Sequence, residues 1–129
     1  MEKIKSYTDI KQSKKLAEIL SLESADQCFL NDGTAIKAEI NSYAVAMKLW
    51  KEHYIEIIPC WSLAALLDIL SKTAHSIDED GSIDLCDYKN IEWSLCLTNT
   101  NVGLVTANNP VDACYQMIIK LHEIKMLCL

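Results

Sequence analysis

A short segment in the middle of the chain fixes where one helix begins. Ser62 can cap a helix through its hydroxyl, and Trp61 before it can pack on Leu66, which is the arrangement of a hydrophobic staple. The sequence therefore predicts a helix that begins beside Ser62 and ends between Lys72 and His75. Its apolar residues recur at three- and four-residue steps, as one buried helix face requires: Leu63, Leu66, Leu67 and Leu70.

Beyond an acidic loop at residues 78–81, the apolar period changes from helical to alternating. Ile91, Trp93, Leu95 and Leu97 alternate with polar or small residues, which is typical of a strand with one buried face. Apolar runs at 83–88 and 102–106 lie on either side, across short polar turns. The pattern predicts a three-stranded antiparallel meander.

The amino-terminal half carries weaker signals. Thr8 can cap a first helix that ends near Ser21. Residues 22–33 show no clear period, whereas residues 34–53 carry apolar side chains at helical spacing and predict a second helix. Residues 54–58 are rich in β-branched and aromatic types and predict a short extended segment.

The carboxyl-terminal region predicts a last helix, with Asn109 as its cap and Pro110 at its first position. Its broad apolar stripe must be covered by the meander or by a second copy of the protein. The stripe includes Cys114, Met117, Ile118, Leu121, Ile124 and Cys128. We therefore expect an α+β fold over residues 1–129 as a single globular domain: amino-terminal helices, the central helix, the meander, and the last helix packed on it.

The charge balance disfavours nucleic-acid binding. The 129 residues include 18 acidic and 12 basic side chains, a formal charge of -6, and all the basic ones are lysines. Without arginine the chain lacks the guanidinium group that contacts guanine edges and phosphates at two points. A local lysine patch would be needed, and Lys11, Lys14 and Lys15 form the dense one. We expect no nucleic-acid partner.

The sequence also indicates a cytosolic protein. Residues 1–6 carry charges without the apolar core of a secretory signal, and no run approaches the length of a membrane span. In a reducing compartment, scattered cysteines without two-residue spacing are expected to be small buried hydrophobes. There are six: Cys28, Cys60, Cys86, Cys96, Cys114 and Cys128.

Residues 76–87 can be aligned with the twelve-residue calcium loop of an EF-hand. Asp78, Asp80, Asp84 and Asp87 then fall at its third, fifth, ninth and twelfth positions. However, Ser76 replaces the first aspartate, and the residues that follow have strand period. These four aspartates are candidate metal ligands, with an acidic surface turn as the alternative.

Catalytic and binding signals are sparse. Cys60 is the candidate reactive thiol, because a helix amino terminus can lower a thiol pKa. The three glycines are isolated, so no phosphate-binding loop is predicted, and we expect no catalytic residue and no cofactor. Trp50, Trp61 and Trp93 are candidates for an interaction surface, with core packing as the alternative.

Three segments in this order resemble a known family. They are Tyr7–Asp26, Ile58–Leu70 and Asn109–His122, the last of which is Asn-Pro-Val-Asp-Ala-Cys-Tyr-Gln-Met-Ile-Ile-Lys-Leu-His. Together they resemble a family of small proteins of uncharacterised function in Bacteroidetes genomes, in regions similar to phage or mobile elements. The resemblance implies a cytosolic accessory protein in a bacterial or phage setting, and it implies no activity, cofactor or site residue.

We therefore expect a non-enzymatic protein that binds another protein, with a homodimer as one possible form. Two alternatives stay open. One is a small metal-binding or cysteine-dependent domain, and the other is an acidic inhibitor or nucleic-acid mimic.

Overall fold

The computed structural model describes residues 5–31, 39–53, 56–88 and 92–128. Over these ranges the chain forms four α-helices and two three-stranded antiparallel sheets, which confirms the α+β class. The chain divides into two compact units. Residues 7–62 form the first, and residues 63–129 form the second together with residues 1–6. That both belong to one domain stays a prediction.

The first unit combines a sheet with two helices. The elements are α1 Ile10–Ala17, β1 Gln27–Asn31, β2 Glu39–Ser42, α2 Tyr43–His53 and β3 Glu56–Cys60, with a 3₁₀ turn at Leu22–Ser24. The strand order is β2-β1-β3, with α1 packed on β3 and α2 in contact with all three strands. The ring of Tyr7 packs edge-on against Phe29 of β1, with 6.1 Å between ring centroids.

Asp9, and not Thr8, caps α1. The Asp9 side chain accepts a hydrogen bond from the Gln12 backbone N–H, and the Gln12 side chain accepts one from the Asp9 backbone N–H. Thr8 is buried instead, where its hydroxyl accepts a hydrogen bond from the Trp61 backbone N–H at 3.1 Å. The helix ends at Ala17, so the predicted end near Ser21 was also wrong.

In its described part, residues 39–53, the predicted helix over residues 34–53 is a strand followed by a helix. Residues 39–42 form β2, which pairs with β1, and α2 begins at Tyr43; residues 32–38 lie outside the described ranges. Strand β1 carried no periodic signal and was not predicted. Strand β3 confirms the extended segment in its described part, since Tyr54 and Ile55 lie outside the described residues.

The second unit contains the meander. The elements are α3 Leu63–Ile77, β4 Ile83–Tyr88, β5 Glu92–Leu97, β6 Val105–Ala107 and α4 Pro110–Glu123. The strands lie in the order β4-β5-β6, α4 packs on β5 and β6, and α3 packs on α4 and β4. This confirms both the meander and the helix packed on it.

Helix α3 begins directly after Ser62, as predicted, and continues to Ile77, beyond the predicted end. Its longer course is consistent with the continuing burial of Thr73 and Ala74 on one face. The staple contact between Trp61 and Leu66 stays a prediction.

Helix α4 begins as its sequence indicates. The Asn109 side chain accepts a hydrogen bond from the Asp112 backbone N–H at 2.8 Å, and Pro110 occupies the first helical position. The apolar stripe is buried as far as Leu121, whereas Ile124 and Cys128 are exposed. Within the chain the stripe is therefore covered only as far as Leu121, because the helix ends at Glu123, and cover of its end by a second copy stays a prediction.

Candidate functional site

The acidic segment after α3 is a turn and not a calcium loop. Within it the backbone N–H of Asp80 donates to Oδ1 of Asp78 at 2.8 Å. Asp84 and Asp87 belong to strand β4, where residues three apart project from opposite faces. The EF-hand alignment was therefore wrong, since its ninth and twelfth positions cannot converge on one ion. Within the described ranges, no group of three or more His, Cys, Asp or Glu side chains is placed to hold a metal.

Cys60 is buried at the end of β3 and is not activated. The pKa of its thiol is raised to about 12, mainly by burial and also by the nearby Cys28 and Asp26. This shift is opposite to the one that a reactive thiolate needs at neutral pH. The candidate role of Cys60 as a nucleophile is therefore contradicted by its surroundings.

The remaining cysteines divide by exposure. Cys28 and Cys114 are buried, as predicted, and burial raises the pKa of Cys114 to about 12. Cys86 and Cys128 are exposed and Cys96 is half-buried, so the prediction of buried thiols was wrong for these three. Cys86 and Cys96 belong to the alternate positions of β4 and β5 that do not face α4, which explains their exposure.

Cys86, Cys96 and Asp84 lie on one face of the meander. Asp84 is directly opposite Cys96 in the β4–β5 pairing, and the Cys86 thiol donates to Asp84 Oδ1 at 3.1 Å. That hydrogen bond, with the carboxylate charge, raises the pKa of Cys86. The two cysteines are diagonal neighbours, which typically lie about 7–8 Å apart between Cα atoms, too far for a disulfide without backbone movement. This cluster therefore provides neither an activated thiol nor a preformed disulfide.

The structure describes the side chains of Trp61 and Trp93. Trp61 is fully buried, and its indole N–H donates to the Ser24 hydroxyl at 2.9 Å, so its assignment to an interaction surface was wrong. Trp93 is half-buried on β5, opposite Asp87 and Ala107. Trp50 belongs to α2, and its side chain lies outside the described part of the chain.

Three large apolar side chains of the second unit are exposed, two of them directly after α4. Leu104 is 59% exposed, Ile124 47% and Met126 39%, and we name them the C-terminal patch. A Cβ at Gly103 would be 2.6 Å from Lys120 Nζ, so the end of the Lys120 side chain reaches the loop that contains Leu104.

Comparison with known protein families, curated proteins and solved structures finds no match to this chain.

The position of Met126 follows from the end of the helix. Lys125 has a φ of 60°, a left-handed conformation common just after a helix, and the Met126 backbone N–H donates to the Leu121 carbonyl at 2.9 Å. The chain then continues to Cys128, whose N–H donates to the Thr73 hydroxyl at 3.1 Å. These bonds fix the segment that follows α4 against its own unit.

The sequence contained a partial signal for the C-terminal patch. Ile124 belongs to the predicted stripe of α4 but lies beyond the part that the sheet and α3 bury. Leu104 lies between β5 and β6, whereas the sequence predicts it to lie in a strand. The exposure of Leu104 depends on where β6 begins, and the local sequence pattern does not indicate that position.

None of the helices in the described ranges combines the length and the apolar character that a membrane span requires.

Proposed function

We propose that this protein is a non-enzymatic, cytosolic accessory protein of a bacterial or phage-like element that binds another protein through the C-terminal patch. The observation that carries the proposal is the exposure of Leu104, Ile124 and Met126, of which Ile124 and Met126 directly follow α4. Covering apolar surface removes it from water, which favours association by the amount that exceeds the loss of translational, rotational and side-chain freedom. A group of exposed apolar side chains is therefore a favourable binding surface.

The non-enzymatic part of the proposal is supported by the state of the candidate catalytic groups. The pKa values of Cys60 and Cys114 are raised to about 12, which keeps both thiols protonated at neutral pH. The exposed Cys86 has a raised pKa as well. The aspartates near it lie in a turn and on two faces of a strand, so they do not converge on one reacting atom.

A protein is the favoured class of partner because of charge. The chain carries a formal charge of -6 and has no arginine, and both features oppose the phosphate contacts that dominate nucleic-acid affinity. Lys11, Lys14 and Lys15 are exposed on α1, and Lys15 Nζ lies 3.8 Å from a Glu18 carboxylate oxygen. A partly neutralised lysine row of this kind is typical of a solvated helix face.

A capture experiment with matched variants tests this function. Wild-type protein, Ile124→Glu and Val45→Glu are immobilised and exposed to a lysate of a Bacteroidetes host, and bound proteins are identified by mass spectrometry. Val45 is a suitable control because it is 49% exposed on α2, in the other unit. We expect wild type and Val45→Glu to bind the same protein, this chain included, and Ile124→Glu to lose it. Equal capture by all three folded proteins, or capture by none, would contradict the proposal.

A further inference from the structure

We propose that residues 7–62 form an inserted unit, which opens and closes as one conformational element while the second unit stays folded. This proposal is independent of the proposed function, because it concerns the way the fold opens and makes no use of the C-terminal patch. It rests on how the chain enters and leaves residues 7–62.

The two ends of the inserted unit pair with each other. Tyr7 forms an antiparallel bridge with Ser62, and the Thr8 backbone N–H donates to the Trp61 carbonyl at 2.9 Å. The Trp61 backbone N–H donates in turn to the Thr8 hydroxyl at 3.1 Å. The chain therefore enters and leaves this unit at neighbouring points, which is the geometry that allows one folded unit to be inserted into another.

The second unit is closed by bonds of its own at the point of insertion. The Leu63 backbone N–H donates to the Ser6 carbonyl at 3.0 Å, so the two residues that flank the insertion are hydrogen-bonded to each other. Lys5 Nζ lies 2.8 Å from Oδ1 of Asp112 in α4, in a half-buried ion pair. Neither bond involves a residue of 7–62, so the inserted unit can open as a loop without breaking them.

Each unit covers its own sheet with its own helices. In the first unit α1 and α2 pack on the strands, and in the second unit α3 and α4 do so. Each unit also contains fully buried apolar side chains, among them Leu16 and Trp61 in the first, and Leu95 and Met117 in the second. A unit with its own sheet, helices and buried side chains can open in one cooperative step.

Three buried cysteines report the opening of each unit separately. Cys28 and Cys60 are fully buried in the first unit, and Cys114 is fully buried in the second. A buried thiol reacts with iodoacetamide only when its surroundings open. At pH 8 and low reagent concentration its labelling rate therefore measures the population of the open state. The exposed Cys86 and Cys128 control for reagent quality, and mass spectrometry of peptides gives the rate at each position.

Two matched variants each destabilise one unit. Asp9→Ala removes the cap of α1, and Asn109→Ala removes the cap of α4. Loss of a helix cap is expected to raise the open population by on the order of fivefold. We expect Asp9→Ala to speed labelling of Cys28 and Cys60 by this factor and to leave Cys114 unchanged. Asn109→Ala is expected to speed labelling of Cys114.

The response of Cys114 to Asp9→Ala decides the question. Equal acceleration at Cys28, Cys60 and Cys114 would overturn the proposal, because one opening would then expose all three thiols. No acceleration at Cys28 and Cys60 would also overturn it, since α1 would not belong to the element that opens. Circular dichroism checks that both variants are folded before labelling.

Discussion

Asp26 accepts both hydrogen bonds that Ser62 donates. The Ser62 backbone N–H donates to Asp26 Oδ1 at 2.9 Å, and the Ser62 hydroxyl donates to Oδ2. The two residues are 36 positions apart in the chain, one just before β1 and the other just after β3. The pair therefore ties the two ends of these neighbouring strands together.

Asp26→Ala is expected to lower the free energy of unfolding by about 1–2 kcal/mol, because it removes two hydrogen bonds to a charged group at an exposed position. Urea unfolding followed by circular dichroism measures the change. Glu23→Ala is the control, since Glu23 is an exposed acidic residue three positions away. Equal effects of the two variants would show that the loss of stability comes from removing a negative charge and not from the hydrogen bonds to Ser62.

Trp61→Phe is expected to lower the free energy of unfolding by about 1–3 kcal/mol, because it leaves space in the core and removes the bond from the indole to Ser24. Trp93→Phe is expected to lower the free energy of unfolding by a smaller amount, since Trp93 is only half-buried. The melting temperatures of both variants provide the comparison. A larger effect at Trp93 would argue against full burial of Trp61.

The free energy of unfolding is expected to fall in alkaline solution, because the Cys60 thiol ionises at a lower pH in the unfolded chain than in the folded protein. The folded pKa of Cys60 is about 12 against an ordinary value of 9.0, so between these values the unfolded chain binds fewer protons than the folded one. The contribution of this thiol is therefore fully present below pH 9 and is lost as the pH rises toward 12. Through this thiol the free energy of unfolding falls by at most about 1.4 kcal/mol per pH unit.

Urea unfolding of wild type and Cys60→Ala at pH 8 to 10.5 isolates this contribution, because lysine and tyrosine titrate alike in both proteins. The wild-type free energy of unfolding should fall more steeply. Parallel pH profiles would contradict the raised pKa of Cys60.

Calcium at millimolar concentration is expected to leave the melting temperature unchanged. A ligand held only by the folded protein must raise stability, but Asp84 and Asp87 project from opposite faces of β4 and cannot share an ion. Magnesium at the same concentration controls for ionic strength. A rise specific to calcium that disappears in Asp84→Asn would restore the calcium hypothesis.

The fate of the cysteines illustrates what the sequence could not predict. Composition and compartment suggested six buried thiols, yet Cys86 and Cys128 are exposed. Cys86 alternates outward on a strand with one covered face, and Cys128 follows a helix that ends earlier than its apolar stripe. Exposure in both cases depends on which face a distant helix covers, and no local pattern contains that information. The C-terminal patch was only partly foreseen for the same reason.

The sequence by itself determined the elements whose signals are local. Asn109 and Pro110 fixed the start of α4 through contacts within four residues, and the alternation around Leu95 fixed β5. Only the tertiary structure decided that residues 39–42 are a strand. The three- and four-residue spacing of apolar residues there also fits a helix. However, Phe29 of β1 pairs with Ile40 of β2 on one side and with Ile58 of β3 on the other, so the backbone hydrogen-bonding groups of β1 have partners on both sides. Such long-range hydrogen bonds outweigh local helical periodicity.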